Sequence, residues 1–274
     1  MKKLALYMLL SSFMLISCMN LAQNQSIKKD EKISNTDKKT TNEEFTIKTE
    51  NDVIYYNDNK NVKGFLAYPE KTGKYPALVL IHEWWGLNDN IKENVKKFAK
   101  LGYVVLASDL YGNSATTEQN KAREMAGKVR ENTEEAMKNL KNAVDFLKAR
   151  NDVEADRLAS VGWCFGGGWS YQLAKNNVGV KASVMYYGNF NTEDDLQMMK
   201  AHIIGHFGEK DTSIKVDDVK QFQASLKTLS GKHEIYIYPN AGHGFANETN
   251  SNAYVKESAD SAWERTIEFL KKNL

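Results

Sequence analysis

Gly162-Trp163-Cys164-Phe165-Gly166 sets a cysteine between two glycines with the G-x-S-x-G spacing of a nucleophile elbow, cysteine standing where that motif carries serine. Residues 157–161 before it read as a short buried strand. Trp169-Ser170-Tyr171-Gln172-Leu173-Ala174 after it read as the first turns of a helix, so strand, turn and helix follow in the order the motif requires. A residue on so sharp a turn occupies strained backbone, and glycines on either side keep side chains away from the adjoining strand and helix. The helix that begins there aims its free N–H groups and positive dipole end at the sulfur, which favours thiolate over thiol. An inert buried cysteine in a Gly-rich turn is the plainer reading of the same residues. A base and an acid placed to serve the thiol decide between them.

A thiol that attacks a carbonyl draws on a base, and the base on a carboxylate that fixes its tautomer. Ligands of open α/β sheets gather at the carboxyl ends of the strands, which directs attention to the residues just past each apolar run. Four stretches qualify: His82-Glu83-Trp84-Trp85-Gly86-Leu87-Asn88, Ser108-Asp109-Leu110-Tyr111-Gly112-Asn113, Gly208-Glu209-Lys210-Asp211 and Gly242-His243-Gly244-Phe245. Cys164, Asp211 and His243 follow one another as nucleophile, acid and histidine, one at each of three strand ends. Singly, His243 reads as a polar loop histidine and Asp211 as a helix N-cap before Thr212-Ser213. Their joint order and placement point to a triad. His82, His202, His206 and His233 read as structural or exposed, because none stands both just past a strand and after the acid.

The elements that must position these groups are legible in the hydrophobic pattern. Short alternating segments at 45–48, 53–56 and 62–68, bounded by Asn, Asp, Gly and Pro, predict antiparallel edge strands. Ala77-Leu78-Val79-Leu80-Ile81 is a continuous apolar run, as in a central strand covered on both faces. A helix over about 90–101 carries Val95, Phe98 and Ala99 at helical spacing, and the strand Tyr103-Val104-Val105-Leu106-Ala107 follows. Residues 117–150 are helix-forming throughout, with Ala136, Leu140, Val144 and Leu147 on one stripe. Strands at 182–186, 203–207 and 234–238, with helices over about 216–229 and 254–272, continue the alternation. The pattern predicts an α/β fold, a mainly parallel sheet with helices on both faces.

At 274 residues and 42% hydrophobic content the chain can bury the core of one large α/β domain or two small ones. Lys+Arg 37 against Asp+Glu 35, with no clustered basic face in the body of the chain, argues against nucleic-acid binding. Lys2 and Lys3 precede an apolar run over 4–16 that is too short to span a bilayer, so residues 1–17 read as a signal peptide. Leu15-Ile16-Ser17-Cys18 is similar to the lipobox of bacterial lipoproteins, which implies that Cys18 carries lipid and begins the mature chain. A secretory signal cut near Leu21-Ala22-Gln23 is the alternative. Loss of Lys2 and Lys3 leaves basic and acidic side chains equal in number, so membrane association would rest on the lipid. Residues 18–44 then hold the attachment cysteine and a polar tether that buries too little to order itself, and residues 45–274 the folded domain. With Cys18 lipidated, Cys164 has no disulfide partner in the chain, and a lone thiol in an oxidising compartment is either sheltered or used.

From about Phe45 onward the sequence resembles the dienelactone hydrolases, α/β-hydrolases with a cysteine nucleophile. The resemblance rests on His82-Glu83-Trp84-Trp85-Gly86-Leu87-Asn88, Asp109-Leu110-Tyr111, Gly162-Trp163-Cys164-Phe165-Gly166-Gly167, Gly208-Glu209-Lys210-Asp211 and Gly242-His243-Gly244-Phe245, a set far more specific than any member. It implies that Glu83 contacts the resting thiol and helps ionise it. A carboxylate between an apolar strand and Trp84-Trp85 is independently expected to have a raised pKa. It also implies an oxyanion hole built from the backbone N–H groups of Phe165 and Trp84. Family members that open dienelactones hold the substrate carboxylate with two arginines, and the matching positions here are Asn113 and Asn247, which offer neither charge nor a bidentate fork. Arg123, on the following helix, is the other cation considered and is given no role. Trp84, Trp85, Tyr111, Trp169 and Phe245 are expected to line an aromatic pocket, with Trp85, Tyr111, Asn113, Phe245 and Asn247 as substrate contacts.

The expected protein is a lipid-anchored hydrolase of the bacterial cell envelope, a monomer by default, that cleaves a small-molecule ester or lactone through a Cys-His-Asp triad and a thioester intermediate. It requires no metal and no organic cofactor. Two alternatives stand beside it: a Cys-dependent acyl hydrolase acting on neutral esters, amides or peptides, and a non-catalytic lipid-anchored binding protein.

Overall fold

A computed structural model describes residues 44–274 apart from Asn113; the leader, Cys18 and nearly all of the tether lie outside the described residues. Its centre is an eight-stranded sheet formed by β1 (Ile47–Val53), β2 (Gly64–Pro69), β3 (Tyr75–Ile81), β4 (Val104–Ser108), β5 (Val153–Trp163), β6 (Ala182–Tyr186), β7 (His202–Gly208) and β8 (His233–Tyr238). The strand order is β1-β2-β4-β3-β5-β6-β7-β8, with β1 and β2 antiparallel to their neighbours and every pairing from β4 to β8 parallel. This is the mainly parallel α/β sheet that the alternating pattern predicts, with the strand order expected of the α/β-hydrolase fold that the resemblance implies.

Two helical layers cover it. Alternate residues of β3 show the division: Ala77, Val79 and Ile81 belong to one core with α2 (Gln119–Glu131), α3 (Thr133–Lys148), α4 (Phe165–Lys175) and α5 (Val216–Lys227), while Leu78 and Leu80 belong to the other with α1 (Asp89–Lys100) and α6 (Lys256–Asn273). Burial on both faces is why the central strands read as unbroken apolar runs rather than alternating ones.

One expectation about elements is corrected. The segments at 45–48 and 53–56 are not two strands; one strand, β1, ends at Val53. The apolar character of the second segment belongs to Tyr55 and Tyr56, buried residues of the loop that follows β1. The Tyr55 hydroxyl accepts from the Asp109 backbone N–H at 2.9 Å and donates to Asn139 Oδ1 at 2.8 Å, tying the loop after β4 to α3. The stretch 117–150 is helical as expected and divides into α2 and α3. Asn132 breaks it at φ −122°, ψ 65°, and its side chain caps α3 by accepting from the Glu135 N–H at 3.3 Å. An asparagine competes with the helix by bonding nearby backbone, a local effect that the continuing amphipathic stripe hides.

Candidate active site

Cys164 joins β5 to α4, with φ 53° and ψ −116°. A side chain in this left-handed region costs on the order of 1–3 kcal/mol and persists only where its surroundings fix it. Here the Cys164 N–H donates to Tyr186 O at 2.9 Å, and its own carbonyl accepts from the Gly168 N–H at 3.2 Å. The flanking glycines allow the approach: a Cβ on Gly162 would lie 2.1 Å from Gly166 O, and one on Gly166 would lie 2.2 Å from Ile81 O. The half-buried thiol thus stands at the start of α4, on the carboxyl edge of the sheet.

β7 and β8 bring the other two members to it. His243 Nε2 lies 3.1 Å from Cys164 Sγ, and His243 Nδ1 lies 2.8 Å from Asp211 Oδ2. The second Asp211 oxygen accepts from the Ser213 and Ile214 N–H groups at 2.7 and 3.0 Å in the bend before α5, whose N-cap is Lys215, so the cap reading is corrected: Asp211 ties down its own loop with one oxygen and meets His243 with the other. Burial opposes protonation of His243, but its bonds to Asp211 and Cys164 prevail and lift its pKa to about 10. Burial opposes ionisation of Asp211, and its bond to His243 outweighs that and holds its pKa below the usual carboxylate range.

Glu83 follows β3 and is 5% exposed. Burial raises its pKa to about 7, against the lowering effects of His243 and of its hydrogen bonds. Its Oε2 accepts from Asn247 Nδ2 at 2.6 Å. Among the described residues the thiol bonds to His243 and makes no hydrogen bond to Glu83, whose charge is felt instead at His243. Asn247 is itself buried, its Oδ1 accepting from the Thr249 N–H at 2.9 Å and from Thr249 Oγ1 at 2.7 Å. The residue standing where an arginine was expected spends its polar groups inside the protein.

The remaining expected residues divide. Tyr111 is half-buried beside the site, and its hydroxyl donates to Trp84 O at 3.1 Å, fixing the peptide next to the candidate oxyanion donor. The N–H groups of Phe165 and Trp84 have no hydrogen-bond partner among the described residues. Trp84 and Trp85 are half-buried with ring centroids 4.7 Å apart. Phe245 is corrected from pocket to core: it is 0% exposed and packs on Tyr187 and Tyr238 at 5.5 and 5.0 Å, beneath the His243 loop. Trp169 is also buried, 6.1 Å from the Phe165 ring. Asn113 lies outside the described residues. Arg123 is exposed and donates to Asn120 on its own helix at 3.1 Å, away from any role in the site.

Tyr187 escaped sequence reasoning, whereas His82 has the structural place expected of it. Tyr187, at φ 39°, is buried with its ring 5.1 Å from His243. Its hydroxyl has no hydrogen bond of regular geometry, yet it lies close enough to Glu83 for each to shift the other's ionisation. It stands just past β6, the one strand end after the elbow that the search for polar groups passed over. His82, read as structural, is fully buried and accepts from the Leu110 N–H at its Nε2, 3.1 Å away. That assigns the proton to Nδ1, which donates to Glu83 O at 2.6 Å. Burial lowers the His82 pKa, so a neutral ring joins the loops after β3 and β4.

Comparison with known proteins gives the family of the chain. The model of the dienelactone hydrolase family matches residues 62–274. A protein of Saccharolobus solfataricus, whose provisional name is carboxymethylenebutenolidase, is 31% identical over 81% of this chain and 98% of its own. A Bradyrhizobium protein provisionally named 2-oxo-3-(5-oxofuran-2-ylidene)propanoate lactonase is 29% identical over 77% of this chain and 89% of its own. A dienelactone hydrolase-like promiscuous phosphotriesterase from metagenomic libraries superposes with a TM-score of 0.74 over 84% of this chain and 99% of its own; at 20% identity it shows the fold alone. The chain belongs to the dienelactone hydrolase family, hydrolases of carboxylic esters and lactones.

Proposed function

We propose that the protein cleaves a small ester or lactone by covalent thiol catalysis. The observation that carries this reading is the continuous relay from Cys164 Sγ through His243 to Asp211, with links of 3.1 and 2.8 Å. The Cys164 thiolate attacks the substrate carbonyl, and the charge that develops on its oxygen is received by the N–H groups of Phe165 and Trp84. Collapse of the tetrahedral intermediate expels the alkoxide, which takes the proton from His243 Nε2 and leaves a thioester on Cys164. Water, deprotonated by His243, then attacks the thioester and releases the carboxylic acid and the thiolate. Asp211 holds the imidazole in position and stabilises its protonated form throughout. Glu83, whose pKa is about 7, is set to alter its charge beside His243 at neutral pH and so modulates the thiol–imidazole pair.

The test is turnover of a neutral aryl ester, a neutral lactone and a carboxylated dienelactone by the purified protein and its Cys164→Ala variant. Acid quench is expected to trap an acyl group on Cys164 of the parent. Undiminished hydrolysis by Cys164→Ala would remove the reading. A protein whose Cys164 resists alkylation and which turns over no ester would instead be the binding protein considered above.

The leader supports a second element of the proposal: Cys18 carries lipid and residues 18–44 tether the catalytic domain to the cell envelope. Metabolic labelling with a fatty-acid analogue should tag the protein and fail to tag Cys18→Ser; equal labelling of both would exclude this anchor.

A further inference from the structure

The asparagines at the two expected arginine positions remove the charges that would hold an acidic substrate, and Asn247 is committed to Glu83. A different cation stands beside the residue that follows Cys164. Arg130, in the last turn of α2, is exposed, and its guanidinium carbon lies 5.6 Å from the centroid of the Phe165 ring. Phe165 directly follows Cys164 and packs on Tyr111 at 5.6 Å.

Tyr111 locates Arg130 relative to the chemistry. Burial keeps the Tyr111 hydroxyl protonated; Arg130 acts on that hydroxyl in the opposite direction and Cys164 in the same direction, so both charges lie within electrostatic reach of one phenol. Arg130 also differs from its neighbours. Lys128, on the same turn, is paired with Glu124 at 2.6 Å, and Arg123 is bonded within α2, whereas Arg130 makes no ion pair or hydrogen bond among the described residues. A planar guanidinium lying over an aromatic ring keeps its N–H edges free, which suits it to receive a carboxylate in bidentate fashion.

We propose that Arg130 is the specificity-determining residue of this site, receiving a carboxylate carried by the ester or lactone substrate while Cys164 attacks the carbonyl. The inference rests on the covalent thiol reading above. It moves the anion-binding point from the loops after β4 and β8 to the end of α2, so acidic substrates are retained although Asn113 and Asn247 carry no charge.

The experiment compares kcat/KM for a carboxylate-bearing lactone with that for its neutral methyl ester in the parent, Arg130→Gln and Arg130→Lys, at low and high salt. In Arg130→Gln the ratio of acidic to neutral substrate is expected to fall by about tenfold, the size of a charge-assisted contact at a solvent-exposed position. The loss should appear chiefly in KM. Arg130→Lys should recover part of the ratio, and the salt dependence of the acidic substrate should weaken in Arg130→Gln. An unchanged ratio in Arg130→Gln overturns the proposal, as does a parent protein that neither hydrolyses the acidic lactone nor is competitively inhibited by it. Cys164→Ala, run alongside, separates this failure from failure of the thiol mechanism: hydrolysis that survives Cys164→Ala removes the mechanism, whatever Arg130 does.

Discussion

Replacing Glu83 by glutamine tests the electrostatics of the site through stability rather than activity. Burial displaces the Glu83 pKa from 4.5 to about 7 in the folded chain. At ~1.4 kcal/mol per pH unit, this displacement corresponds to about 3 kcal/mol of folding free energy. The sign follows from proton binding: between these two values the folded protein holds a proton on Glu83 that the unfolded chain has released. The stabilisation is therefore full below pH 4.5, is lost as the pH rises through 7, and changes no further above that. Glutamine stays neutral and still offers an oxygen to Asn247 Nδ2, so Glu83→Gln removes the titration with little change in shape. Urea unfolding of both proteins from pH 4.5 to 8 should show the parent losing about 3 kcal/mol relative to Glu83→Gln over that range. The subtraction matters because His243 titrates as well. Its pKa, raised to about 10, adds stability that is present below 6.5 and lost towards 10, and subtraction removes the part of this that is independent of Glu83. A difference curve that stays flat between pH 5 and 8 would falsify the raised Glu83 pKa.

Other outcomes follow from neighbouring groups. Asp211→Asn removes the acceptor that fixes His243 and should reduce kcat by roughly 10⁴ while leaving the fold intact by circular dichroism; a loss of less than tenfold would separate Asp211 from the chemistry. Asn247→Ala withdraws the donor to Glu83, so the Glu83 titration seen in unfolding should move to higher pH, and a move to lower pH would contradict the pairing. Gly166→Ala would set a Cβ 2.2 Å from Ile81 O, against backbone that has no room to yield, and should cost more than about 3 kcal/mol; native-like stability would show that the elbow is looser than its geometry implies.

Much of the chemistry was legible in the chain itself. The glycine spacing around Cys164, the order Cys164, Asp211, His243 and the apolar runs ending just before them single out three residues that the structure brings within hydrogen-bond distance, because strand ends in a parallel sheet must converge on one edge. The raised pKa of Glu83 was also foreseeable, since a carboxylate following a strand as apolar as β3 is buried with it. Local rules failed where a side chain's role was set by distant packing: Tyr55 and Tyr56 resemble a strand in sequence and are buried loop residues.

The division between what the chain determines and what folding adds is sharpest at the edge of the site. Sequence alone says that Asn113 and Asn247 lack charge, and that Phe245 is aromatic and follows the histidine loop. Only tertiary structure shows Asn247 turned inward to Glu83, Phe245 closed beneath His243, Tyr187 between them, and Arg130 lying over Phe165 from a helix 35 residues away in the chain. Spacing along a strand or helix constrains which residues share a face. Contacts between separate elements depend on how the sheet and its helices pack, and no local period records them.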